Sequence, residues 1–159
     1  MTVLRPIEPA DHVAVLAWNE ANVEMLAPLS EQRLVELLDQ GDGVVIEHEG
    51  AAVGFVITFL AGSAYDSPNY RWFSERHDEF LYLDRVVVDA SVRRTGVASR
   101  VYDLIEERAS TVGPVMCLEV NVDPPNEPSL AFHARRGYVE VGRQVWSDHL
   151  LTMLEKQLR

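Results

Sequence analysis

Apolar positions in this chain come in short continuous runs and in runs that recur every three or four residues, broken by glycine and proline. Thr2 to Arg5 is a short apolar run that meets Pro6, which predicts a strand ended by a proline. From Pro9, a residue suited to a first helical turn, Val13, Leu16, Ala17 and Ala21 fall at helical spacing, and Pro28 breaks the pattern. Ser30 is a good N-cap for a second helix carrying Leu34, Val35, Leu37 and Leu38 and stopping near Gly41; Gly41-Asp42-Gly43 reads as a turn. Two β-rich runs follow, Val44 to Glu49 and Val53 to Leu60, joined as a hairpin through Gly50 and two alanines.

The stretch 61–78 has no clear period. It sets Gly62, Pro68 and Asn69 among Tyr65, Tyr70, Trp72 and Phe73, and reads as a long loop whose aromatics either serve function or pin it to a core. Phe80 to Val88 (FLYLDRVVV) is the strongest strand signal, apolar on both parities as a central strand requires. Val97, Val101, Leu104 and Ile105 mark a helix ended by Gly113-Pro114, and Val115 to Val122 is the next strand. Asn126 is a candidate N-cap for a short helix reaching Gly137 at its C′ position. Tyr138 to Trp146 and Leu150 to Leu154, around Ser147-Asp148, are the last two strands. The segment order is that of a single α/β domain over residues 1–159 with a mixed sheet.

Composition narrows the class. The chain has 159 residues, a hydrophobic fraction of 47% and one cysteine. That suits one domain with a sizeable core and excludes a disordered chain. The net charge is -11, with no run of Lys and Arg, which argues against nucleic acid as a partner. A lone Cys117 forms no internal disulfide and fits a reducing compartment. No segment is long and apolar enough for a membrane span, and the first residues lack a targeting pattern, so a soluble cytoplasmic domain is expected.

The chemistry concentrates where the Phe80–Val88 strand passes through Asp89-Ala90-Ser91 into Arg93-Arg94-Thr95-Gly96-Val97-Ala98-Ser99 and a helix. Such a junction offers consecutive backbone N–H groups, a helix N-terminus and two guanidiniums, all suited to pyrophosphate, and Gly96 permits close approach. The same residues suit an ordinary turn with solvated arginines. Arg93-x-x-Gly96-x-Ala98 after a hydrophobic strand resembles the (Gln/Arg)-x-x-Gly-x-(Gly/Ala) acetyl-CoA loop of the GNAT N-acetyltransferase superfamily. A second block agrees: Asn121, Asn126, Ser129 and then Phe132-His133-Ala134-Arg135-Arg136-Gly137-Tyr138 are similar to that superfamily's N…N…S/A…(L/F)-Y-x-x-x-G-F pattern.

The resemblance implies a GNAT-like fold, a central mixed and mostly antiparallel sheet of about seven strands flanked by about four helices. It implies a cosubstrate, acetyl-CoA or another short acyl-CoA, with no metal. Pantetheine would bond the backbone of Val86, Val87 and Val88, the pyrophosphate would sit on Arg93 to Ser99, and Asn126, Ser129, Phe132 and His133 would line the other side. Where family members often carry a tyrosine general acid, this chain has His133. A histidine can donate a proton near neutral pH, but a thiolate of pKa ~8.5 needs little help to leave, so packing and catalysis both remain open for it. His12, His48, His77 and His149 are scattered without ligand spacing.

An amine of pKa ~10.4 must lose a proton before it attacks a thioester. Asp84, a carboxylate inside an apolar strand, is one candidate base, with an ion pair to a neighbouring arginine as the structural alternative. Glu119 on the next strand is the second. Tyr82 shares the strand face of Asp84 by the two-residue period and would position the amine or relay a proton. Cys117 shares a face with Glu119 and Asn121; as a free cysteine it reads as a buried small hydrophobe before it reads as a nucleophile.

The resemblance also places acceptor contacts in the first two helices and the aromatic stretch, which makes Glu20, Glu24, Tyr70 and Trp72 candidates. Residues 1–50 hold 10 acids against Arg5 and Arg33, so the acidic excess lies in the proposed acceptor half and points to a cationic amine, a small molecule or a protein amine. The alternative function is a non-catalytic acyl-CoA sensor or assembly module. The apolar tail strands leave a homodimer open.

Overall fold

A computed structural model describes all 159 residues. The elements in chain order are β1 (Thr2–Pro6), α1 (His12–Glu20), α2 (Glu31–Gln40), β2 (Asp42–His48), β3 (Ala51–Leu60), α3 (Pro68–Ser74), β4 (Leu81–Val88), α4 (Val97–Ser110), β5 (Val115–Asp123), α5 (Glu127–Arg135), β6 (Val139–Trp146) and β7 (His149–Gln157). Short 3-10 turns precede α1 and follow β4. The seven strands form one mixed sheet in the order β1-β2-β3-β4-β5-β7-β6. β1–β2, β2–β3, β5–β7 and β6–β7 pair antiparallel, and β4–β5 pair parallel.

The chain divides into two units, the first comprising Met1–Phe59 and Leu83–Arg108. Its core is set by Val45, Ile46, Phe55 and Ile57 of the hairpin with Leu34 and Leu37 of α2, all fully buried. Ser30 caps α2 as expected, its hydroxyl accepting from the Arg33 N–H. On α1 the spacing reading chose the wrong face. Val13 is 81% exposed, whereas Val15 and Asn19 are the buried positions. The reason is polar: the Asn19 amide donates to the Ala27 carbonyl and its oxygen accepts from Arg85, which turns that side inward. The expected turn at 41–43 is also displaced, since β2 begins at Asp42 directly after the Gly41 cap. The hairpin turns on Glu49 and Gly50 alone, both at positive φ (52° and 82°), so Ala51 and Ala52 belong to β3.

The second unit comprises Leu60–Tyr82 and Ala109–Arg159. Here the structure adds a helix that the sequence did not announce. α3 starts at Pro68, capped by Ser67 accepting from the Tyr70 N–H, and raises the helix number to five. Tyr70 and Phe73 are core: Tyr70 lies 5.5 Å from Tyr82 and 5.6 Å from Phe80 between ring centroids, and Phe73 lies 5.9 Å from Tyr82. β5 is flanked by β7 along most of its length. Its parallel register with β4 covers Leu81↔Met116 and Tyr82↔Cys117, at the starts of both strands. Asn126 caps α5 through the Ser129 N–H, and Gly137 follows the helix at φ 91°.

Candidate active site

In the first unit, Asp89 organises the end of β4. One carboxylate oxygen accepts from the Ser91 N–H at 2.8 Å and the other from the Trp18 indole at 3.0 Å. The Ser91 bond, foremost among these, holds the Asp89 carboxyl below its ordinary range. The chain then passes Arg93, Arg94 at φ 64°, Thr95 and Gly96 at φ 84°, all exposed, before Val97 buries at the head of α4. The Thr95 hydroxyl donates to the Val92 carbonyl and the Arg100 N–H to Gly96. The left-handed turn at Gly96 lets the loop enter the helix without strain, and nothing lies within 4 Å of where its Cβ would be. Ala98 is half-buried and Ser99 exposed in the first turn, whose N–H groups point out of the helix end. Val86 and Val88 are half-buried and Val87 is 4% exposed on the strand that feeds this loop.

In the second unit, Tyr82 and Glu119 meet. The phenol oxygen lies 2.7 Å from both carboxylate oxygens, and the Asn69 amide reaches Oε1 at 3.3 Å. Asn69 is itself held by Gln144, which donates to its carbonyl oxygen at 2.7 Å. In the sequence Asn69 reads only as a loop residue and Gln144 carries no signal; their distant partners give both their meaning.

On α5, Asn126 and Ser129 form the capped first turn, and His133 is 5% exposed with its ring edge-on to Phe132 and Tyr138 at 5.3 Å each. Its Nδ1 lies 2.7 Å from the Ser129 carbonyl, which can only accept, so Nδ1 carries a proton; the Ser129 hydroxyl is at 3.2 Å. In the neutral ring Nε2 is then an acceptor. His133 donates from Nε2 only as imidazolium.

Residues 10–138 match the Acetyltransferase (GNAT) family. The chain belongs to that family. No curated protein matches it. Among solved structures, Ard1 from Thermoplasma volcanium superposes with a TM-score of 0.75 at 18% identity, covering 98% of this chain and 97% of its own. NAA60 of Arabidopsis thaliana, solved in complex with acetyl-CoA, gives 0.73 at 15% identity, with 99% of each chain covered. Arabidopsis thaliana Naa50, solved with the bisubstrate analogue CoA-Ac-MVNAL, gives 0.71 at 12% identity, with 98% of each covered. These likenesses establish the GNAT fold, and the family match makes the chain a member of an acetyltransferase class.

Within the GNAT frame the two carboxylate candidates part company. Asp84 pairs with Arg85 at 2.8 Å, both side chains 6% exposed, and Arg85 bonds on to Asn19 at 2.9 Å and the Ala27 carbonyl at 3.3 Å. That is the ion-pair alternative. Glu119 faces a neutral phenol and a neutral amide.

The acceptor candidates also divide. Glu20 and Glu24 are exposed at and just beyond the end of α1. Tyr70 is 2% exposed, its hydroxyl donating to the Leu60 carbonyl at 2.5 Å and accepting from the Ser63 N–H at 3.1 Å, so its ring and hydroxyl serve the core. Trp72 is half-buried, with the Arg76 guanidinium 3.4 Å from its ring centroid and its edge where a Gly142 Cβ would stand. The cation its face attracts is Arg76, two residues past the end of its own helix. Cys117 is fully buried, and burial first, with Glu155 and Glu119 behind it, pushes its thiol well above the ordinary cysteine range. Such a thiol is no nucleophile near neutral pH. No helix is long and apolar enough to cross a membrane.

Proposed function

We propose that this protein is an acyl-CoA-dependent N-acyltransferase that moves an acetyl group from acetyl-CoA to a cationic primary amine. The observation that carries the reading is the Arg93–Ser99 turn, with Gly96 at positive φ opening α4, in a chain whose residues 10–138 match the GNAT family. In this reading the exposed N–H groups and guanidiniums of the turn hold the pyrophosphate, the Val86–Val88 backbone and Asn126 and Ser129 hold the pantetheine, and Phe132 and His133 pack beside it.

Glu119 accepts the proton of the alkylammonium, directly or through a water, and Tyr82 fixes the carboxylate. The free amine nitrogen forms a bond to the thioester carbon. A β4 backbone N–H steadies the tetrahedral oxyanion. The nitrogen sheds its remaining extra proton to solvent, the C–S bond breaks, and the thiolate leaves and takes a proton from solvent or from the His133 imidazolium. The exposed Glu20 and Glu24, in the part of the chain that holds the acidic excess, support a cationic acceptor. The single buried cysteine suits a reducing, cytoplasmic setting.

The test is release of free CoA thiol from acetyl-CoA with a free-N-terminus tetrapeptide, a lysine peptide, spermidine and tyramine as acceptors. At least one should turn over saturably, and Glu119→Gln should lower kcat by about 10²- to 10⁴-fold while leaving acetyl-CoA affinity within twofold, about the scale of a lost general base. Acetyl-CoA binding with no turnover across a broad amine panel would convert the reading to the sensor or assembly module.

A further inference from the structure

We propose that His77, Cys117 and Glu155 form a binding site for a thiophilic divalent cation, zinc by the nature of its ligands. Their ligand atoms, one nitrogen, one sulfur and one carboxylate oxygen, all lie within 4.8 Å of one another. Residues separated by 38 and 40 positions give no spacing signal, which is why sequence alone left His77 unassigned. The sheet brings them together. Cys117 on β5 is the registered antiparallel partner of Glu155 on β7, so the two side chains leave the sheet side by side on one face. His77 follows α3, its N–H bonded to the Phe73 carbonyl at 3.0 Å and its ring 6.2 Å from Phe80, which aims Nε2 at the Glu155 carboxylate 2.5 Å away.

Burial and charge favour a cation there. Cys117 is 0% and Glu155 8% exposed, and a carboxylate this deep is costly without compensation. A thiolate, a carboxylate and a neutral imidazole together cancel a 2+ charge, and sulfur with imidazole nitrogen selects zinc over calcium or magnesium. Zinc–ligand bonds of ~2.0–2.3 Å require the His77–Glu155 atoms to separate to ~3.3 Å for a tetrahedral set. His77 is the ligand free to make that adjustment, because its side chain keeps 24% exposure and follows the end of α3. The same opening admits a water as fourth ligand. On binding, the thiol proton and the proton between His77 and Glu155 pass to solvent or to Nδ1, and no oxidation state changes. The site stands independently of the acyl-transfer reading, since none of its ligands has a role in that reading.

The experiment is titration of the chelator-treated full-length protein with Co²⁺, followed by the thiolate-to-cobalt charge-transfer band and the visible tetrahedral bands, then displacement by Zn²⁺. The expected result is one cobalt per chain, bands absent in Cys117→Ser, and affinity weakened at least ~10-fold in His77→Ala, the scale at which even supporting residues of metal sites act. Circular dichroism of the metal-free variants shows that they fold, and His77→Ala, at a partly exposed position, remains informative if Cys117→Ser does not. Absence of a charge-transfer band in the wild-type protein at excess Co²⁺, or bands of equal strength in Cys117→Ser, would overturn the proposal and leave a hydrogen-bonded His–Glu pair beside a core cysteine.

Discussion

Gly54 on β3 marks a close backbone approach to the strand feeding the candidate loop, and Gly54→Ala tests that constraint. A Cβ there would stand 2.0 Å from the Val87 carbonyl oxygen, 3.0 Å from the Val87 carbonyl carbon and 3.1 Å from Val88 Cα. A relaxed contact needs ~3.5–4.0 Å between carbon atoms, so more than an ångström must be found. The obstacle is backbone, and the neighbouring Asp89 N–H is bonded to the Val53 carbonyl at 2.6 Å, which ties β4 to the same stretch of β3. Overpacking of this kind costs ~1–3 kcal/mol, and the gain from replacing a strand glycine offsets at most ~1 kcal/mol of it. The net expectation is a loss of ~1–2 kcal/mol, or ~2–8 °C in Tm for a domain of this size. Urea denaturation followed by tryptophan fluorescence reads the loss, and calorimetry with acetyl-CoA reads the displacement of Val87 and Val88 as weakened binding. A variant within ~0.5 kcal/mol of wild type, the range of neutral surface changes, would refute the close-approach argument.

Two further outcomes follow from the same geometry. Asp11, bidentate to Arg5 at 2.8 and 2.9 Å and accepting from the Glu8 N–H at 2.8 Å, has its pKa lowered from 3.8 to about 2, the Arg5 bonds being the largest cause. A depressed carboxylate pKa contributes stability that is present above the unfolded value and lost as pH falls through the folded one. Asp11→Asn should therefore cost ~1 kcal/mol at pH 7 after discounting for solvent, and its deficit should shrink between pH 4 and 2; a pH-independent deficit in acid titration would contradict this. Tyr70→Phe removes the hydroxyl that bridges Leu60 and Ser63 and should cost ~1–3 kcal/mol in urea denaturation without raising KM for any amine. A raised KM at unchanged stability would return Tyr70 to the acceptor site.

The sequence was most readable where local chemistry decides the outcome. Ser30 and Asn126 cap the helices that follow them, and the Arg93-x-x-Gly96-x-Ala98 block sits between β4 and α4 with Gly96 at the positive φ that only glycine adopts freely. Legibility failed where a residue's role is set by a distant partner. Asn19 looks like a solvent-facing helix residue until Arg85, 66 positions away, is seen to bond it. α3 spans only seven residues, too few for its aromatics to show a period, and it opens on a proline that equally marks a loop. Asp84 and Glu119 are both carboxylates in apolar strands. Only the partners, a guanidinium for one and a phenol for the other, separate an ion pair from a candidate base. The grouping of His77 with Cys117 and Glu155 depends on the β5–β7 register and on where α3 ends, neither of which spacing encodes.

The central claim is that the Arg93–Ser99 turn holds an acyl-CoA. Isothermal titration of the wild-type protein and of Gly96→Glu with acetyl-CoA tests it most directly. Gly96 has open space around its Cβ position, so the variant adds a negative charge and a left-handed non-glycine residue without a packing clash. The account expects saturable one-to-one binding by the wild type that weakens as salt rises, and a loss of at least tenfold in Gly96→Glu, a difference of ~1.4 kcal/mol. Absence of saturable binding, or equal affinity in the two proteins, would contradict it.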